Sequence, residues 1–192
     1  MTVNESCFPR LATDGYQVTS EPTAEQNCIG HAADRPGEWW DPAEDQVWPD
    51  SVPRDYSVDA IVAVFVTLGY TLCKSAAHEV RYEKVAIYSD DDEYTHAARQ
   101  LADGSWTSKL GPDDDINHPT LESLAGGLYG NVVRVMKRAR SADVTDESKP
   151  GKRESFHSNK IPLPFDKAVE GLLRVKTKKR PKPKPKKKPG QK

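Results

Sequence analysis

The sequence predicts an α+β domain in which helices pack on a small antiparallel sheet, followed by a disordered basic tail. Three observations carry that expectation. Residues 58–68, "VDAIVAVFVTL", are apolar nearly all round at helical spacing, and "EKVAIYS", 83–89, is a continuous apolar run of strand length. Asp103-Gly104 stands between two alternating runs, a strong short-range hairpin signal. The order helix, helix, strand, hairpin, helices sets helices against a meander rather than between parallel strands.

Residues 1–22 are turn-rich and read as irregular. Thr23 followed by Gln26 forms a weak capping box, which opens a helix over "AEQNCIGHAA" and brings Asn27, Cys28 and His31 into its first turns. Residues 34–56 hold four prolines and three tryptophans, so they form a loop pinned by its own aromatic side chains. Ser57 caps the central helix, with Val58, Ile61, Val62, Phe65 and Leu68 at helical spacing before Gly69 ends it. The strand at 83–89 leads through the acidic turn "DDDE" into the hairpin.

A three-residue loop of Ala102, Asp103 and a left-handed Gly104 sets Leu101 opposite Ser105 and His96 opposite Leu110. On that register His96, Gln100, Trp106, Ser108 and Leu110 share one face, and Arg99, Thr107 and Lys109 share the other. The rest of the domain reads as a turn, "LGPDDDINHP", then a segment begun by Thr120, then a helix over "LYGNVVRVMKRAR" with Tyr129, Val132, Val133 and Met136 on one side.

The ordered domain is thus expected over 23–140. A polar linker follows at 141–163, then a short amphipathic helix at 164–175 carrying Phe165, Val169, Leu172 and Leu173, suited to docking on a protein partner. The arm at 176–192 has ten Lys or Arg and no acid, leaving 18 basic against 29 acidic residues in the body, a net of −11. Such an arm binds nucleic acid without sequence preference, or solubilises the chain. No signal-like segment opens the sequence, and the longest apolar stretch is too short and too interrupted to span a bilayer, so a soluble cytoplasmic protein with no membrane partner is expected. Cys7, Cys28 and Cys73 lack framework spacing and read as reduced thiols. Cys28 with His31 and Cys73 with His78 are spaced too loosely for zinc, and no cofactor is expected.

A cysteine at the start of a helix is drawn toward its thiolate, and a histidine on a later strand can take its proton. Cys28 and His96 have those settings, as nucleophile and general base. Ser108, Asp115 or His118 would orient the imidazole, and Gln26 or Asn27 would offer an amide to an oxyanion beside the Cys28 N–H. Trp39, Trp40 and Trp106, with Gln100, are candidates to line a cleft for a peptide or amide substrate. The alternative for Cys28 is a buried core thiol.

A helix-borne cysteine ahead of a strand-borne histidine, over residues 23–118, resembles the papain-like superfamily, including its bacterial cell-wall amidases and cysteine peptidases. That resemblance implies a cysteine hydrolase acting on an amide or thioester bond. More closely, "NCIGHAA", the "WW" after it, "EKVAIY" and "HAARQLADGSWTSKLG…DINH" resemble an uncharacterised bacterial family, a domain of unknown function, over about residues 25–138. The rival expectation is a non-enzymatic interaction module of toxin–antitoxin or phage-defence type, with an acidic body and a nucleic-acid-seeking tail.

Overall fold

The computed structural model describes residues 3–140. Within them the chain runs α1 (Leu11–Asp14), β1 (Gln17–Val18), α2 (Cys28–Ala32), α3 (Val58–Thr67), β2 (Thr71–Cys73), β3 (Tyr82–Asp90), β4 (Glu93–Gln100), β5 (Trp106–Lys109), β6 (Asp115–His118) and β7 (Asn131–Ala139), with 3-10 turns at Glu5–Cys7 and Leu121–Leu124. All seven strands join one antiparallel sheet, in the order β1-β6-β5-β4-β3-β7-β2.

Side chains alternate across a strand, so the sheet has two buried faces. Val85, Ile87, Ala97 and Met136 meet α2, α3 and the tryptophan loop on the first face. Ala86, Tyr88, Ala98, Trp106 and Ile116 meet Val3, Phe8, Leu11, Leu124 and Tyr129 on the second. Residues expected to be irregular at the N-terminus therefore supply core side chains and an edge strand.

Several elements form as their sequences dictate. Ser57 accepts a hydrogen bond from the Ala60 N–H at 3.1 Å and starts α3, whose Ala60, Ile61, Val62, Val64 and Phe65 are all buried. In the β4–β5 hairpin Arg99 pairs with Thr107 and Gln100 with Trp106, the Leu101 N–H donates to the Ser105 carbonyl at 2.8 Å, and Gly104 sits at φ +93°. The register next to the turn and both face assignments are those the turn chemistry predicts, but the ladder stops at Arg99–Thr107 and the expected pairing of His96 with Leu110 does not form. Trp40 and Trp48 are buried and hold the loop of residues 34–56 on the first face.

Other elements differ, and the sheet dominates where helices were expected on a small one. Residues 131–139 form β7, not a helix, and lie between β3 and β2. Val132, Val133 and Val135 are β-branched; Val135 and Met136 face opposite ways as neighbours on a strand do, and a bulge at Val133 brings Val132 to the face of Val135. The segment expected as a turn holds β6, and the one begun by Thr120 is a 3-10 turn. The helix carrying Cys28 shrinks to five residues because Asn27, not Thr23, caps it. The linker, the 164–175 helix and the basic arm lie outside the described residues.

Candidate active site

Cys28 sits where the sheet ladder stops. Pairing between β4 and β5 covers only Arg99–Thr107 and Gln100–Trp106. Since the Leu101 N–H points at β5, Arg99 and Ala97, two and four residues back, aim their N–H the same way, so the Ala97 N–H faces the gap. The Cys28 sulfur lies against that N–H, against the N–H groups of its own residue and of Ile29, and 3.1 Å from the Tyr94 hydroxyl. A bulge at Thr95 is the reason Tyr94 is there. It breaks the alternation, so Tyr94 shares the first face with Ala97, and His96 is turned to the second with Ala98.

Burial raises the Cys28 thiol pKa, outweighing the Tyr94 hydroxyl and the three backbone N–H groups that lower it. The resting thiol is therefore protonated, contrary to the thiolate expected from the helix start. Cys28 keeps partial surface exposure even though its sulfur is crowded.

His96 is fully buried, stacked flat on Tyr129 with ring centroids 4.0 Å apart and edge-on to Tyr88. Its Nε2 lies 3.0 Å from Ser108 Oγ, which lies 3.0 Å from His118 Nε2; His118 Nδ1 is 2.8 Å from the Thr120 carbonyl oxygen. A carbonyl can only accept, so His118 carries its proton on Nδ1. Burial lowers the His118 pKa to about 4, keeping the ring neutral, so its Nε2 accepts from the Ser108 O–H. The Ser108 oxygen then accepts from His96 Nε2–H. Burial and the neighbouring His118 and His31 hold His96 well below the usual imidazole range, so it too is neutral. Its Nδ1 is left as a lone pair with no hydrogen-bond partner.

Of the orienting candidates, Ser108 and His118 join His96 and Asp115 does not. Residues alternate along β6, so Ile116 and His118 face His96, whereas Asp115 and Asn117 face the other way. Asp115 instead lies 3.6 Å from His31 Nδ1 and 3.5 Å from Lys109 Nζ, while His31 Nε2 lies 3.0 Å from Thr107 Oγ1. Burial also lowers the His31 pKa, only partly offset by Asp115.

The amides expected at an oxyanion are committed elsewhere. Asn27 Oδ1 accepts from the Gly30 and Trp40 N–H groups while its Nδ2 donates to the Trp40 carbonyl, and Gln26 donates to the Arg35 carbonyl. Trp40 is a core residue and Trp39 is half-buried, whereas Gln100 and Trp106 line a shallow crevice of about 270 Å³ with Thr120 and Glu122 on the second face. Sequence reasoning missed Tyr94, Tyr88 and Tyr129, the three aromatic side chains that surround the pair. Among the described residues no group of three or more His, Cys, Asp or Glu is placed to hold a metal ion, and no helix is long and apolar enough to cross a membrane.

A family model described as a domain of unknown function, DUF7689, matches residues 17–137. No curated protein and no solved structure matches the chain.

Proposed function

The chain belongs to the DUF7689 family, a domain of unknown function, and on the residues of its site we propose a cysteine hydrolase of papain-like type that cleaves an amide or thioester bond. Cys28 is the nucleophile and His96 the general base. The observation that carries the reading is the unpartnered His96 Nδ1, a buried lone pair on a ring whose other nitrogen is already held, one residue from the backbone N–H that touches the Cys28 sulfur. In the resting protein the thiol and Nδ1 are not hydrogen-bonded to each other. Cys28 comes to the gap in the β4–β5 ladder from the first face and His96 lies on the second, so the proton transfer requires the two side chains to approach through that gap when substrate binds.

The chemistry starts from a neutral pair. As the Cys28 sulfur attacks the substrate carbonyl, its proton passes to His96 Nδ1, and the carbonyl oxygen becomes an oxyanion near the N–H groups of Cys28, Ile29 and Ala97. Collapse of the adduct expels the amine or thiol, which takes the proton back from His96. Water, giving a proton to the same Nδ1, then attacks the acyl–Cys28 thioester; collapse releases the carboxylic acid, and the departing Cys28 sulfur takes that proton back to restore the neutral pair. The buried imidazole is unprotonated at neutral pH and so free to accept, but burial lowers its pKa and raises that of the thiol, so the transfer runs uphill and has to be coupled to formation of the carbon–sulfur bond.

The test is to incubate the protein with a panel of peptide amides and acyl thioesters and to measure both hydrolysis and the mass of the intact chain. The reading expects turnover with an acyl adduct on Cys28, both lost in Cys28→Ala. Turnover that survives Cys28→Ala, or an intact chain that neither hydrolyses nor is acylated across the panel, contradicts it and favours an interaction module.

A further inference from the structure

The Ser108 hydroxyl alone cannot decide which nitrogen of His96 is free. A hydroxyl rotates, and it can donate to Nε2 as readily as it accepts from Nε2–H. The direction is set farther along. The Thr120 carbonyl fixes the proton on His118 Nδ1, His118 Nε2 takes the hydroxyl proton of Ser108, and only the Ser108 lone pairs remain for His96. Ser108 stands diagonal to both histidines, because β5 lies between β4 and β6 in the sheet. Flat stacking on Tyr129 and the edge of Tyr88 hold the ring in one plane.

We propose that His118 is a positioning residue which, acting through Ser108 and anchored by the Thr120 carbonyl, keeps the Nδ1 of His96 proton-free and so able to accept a proton. The proposal rests on the reading of His96 as the general base, but its structural content is independent of turnover. His118 touches neither the thiol nor a substrate. Its contribution is the direction of a three-member chain of hydrogen bonds, each link 2.8 to 3.0 Å long and every member buried. Removing His118 frees the Ser108 proton to point at His96 Nε2, which drives the His96 proton to Nδ1 and caps the base.

The test is the tautomer of His96, read from nitrogen-15 shifts and long-range couplings of the full-length protein, with the rate of Cys28 alkylation measured beside it. In the unsubstituted protein His96 should be the Nε2–H tautomer. In His118→Leu it should move toward Nδ1–H, with Cys28 alkylation slowed roughly tenfold or more. His118→Gln offers a side-chain oxygen to the Ser108 hydroxyl and should restore both. If His118→Leu does not fold, Ser108→Ala cuts the same chain and should give a mixture of tautomers. An Nδ1–H tautomer in the unsubstituted protein, or an unchanged Nε2–H tautomer in the folded His118→Leu and Ser108→Ala variants, overturns the proposal. A tautomer switch with no change in Cys28 alkylation upholds the positioning role and counts against the hydrolase reading.

Discussion

Lowering the pH should destabilise this domain well before its carboxylates begin to protonate, because its buried histidines are held neutral. His118 is 2 % exposed and has its pKa pushed from 6.5 to about 4 by burial. Above about pH 6.5 the folded and unfolded chains both leave this ring unprotonated, and its contribution is fully present. Below that the unfolded chain takes up a proton that the folded one refuses, so stability falls with pH until the folded ring titrates near 4. The loss from this ring is about 2 kcal/mol at about pH 5 and about 3 kcal/mol in full. His96 and His31 are shifted in the same direction, also mainly by burial, and add to the slope.

Urea unfolding of the full chain between about pH 8 and pH 4.5 reads this directly. With a denaturant slope on the order of 1.5–2 kcal/mol/M, the midpoint should fall by about 1 M or more between pH 7.5 and 5. His118→Gln should remove about 2 kcal/mol of that dependence. A midpoint that stays flat over the range, or a His118→Gln slope equal to that of the unsubstituted chain, would refute the neutral buried network and with it the tautomer argument.

Further outcomes follow from single positions. Gly104 is at φ +93°, and a side chain there would also press on His78, so Gly104→Val should cost about 1–2 kcal/mol in thermal or urea unfolding while Gly104→Asn costs less; equal costs would mean that the loop does not need a left-handed residue. A Cβ at Gly30 would collide with the Glu38 carbonyl oxygen, so Gly30→Ala should separate α2 from the tryptophan loop and destabilise by about 2 kcal/mol or more; a neutral result would contradict that close approach. The Tyr94 hydroxyl lowers the pKa of the Cys28 thiol, so Tyr94→Phe should shift the pH profile of Cys28 alkylation upward and leave those of Cys7 and Cys73 alone; a downward shift would place the hydroxyl elsewhere.

The hairpin was readable because turn chemistry and alternation are local. Asp103-Gly104 fixes the loop, the loop fixes the register, and the register puts His96 and Ser108 on one face. What escaped was set at longer range. Val132, Val133 and Met136 fit a helical face as well as a strand, and only placement between β3 and β2 decides for the strand. Taking 110–119 for a turn withheld the alternation that separates Asp115 from His118, so the carboxylate remained a candidate for a role the imidazole fills. Tyr94 lay beyond pattern reasoning altogether. Strict alternation would set it beside His96, and a bulge that the sequence does not announce turns it to Cys28.

In the proposed mechanism His96 serves Cys28 as its base. The most direct measurement is the rate of Cys28 modification by iodoacetamide at neutral pH, followed by peptide mass spectrometry, in the unsubstituted protein and in His96→Ala, with Cys7 and Cys73 as internal controls. General-base assistance is typically worth 10²-fold or more, so Cys28 labelling should slow by roughly that factor in His96→Ala while the other two thiols keep their rates. Equal Cys28 rates in the two folded proteins would contradict the claim and leave Cys28 as a core thiol held by Tyr94.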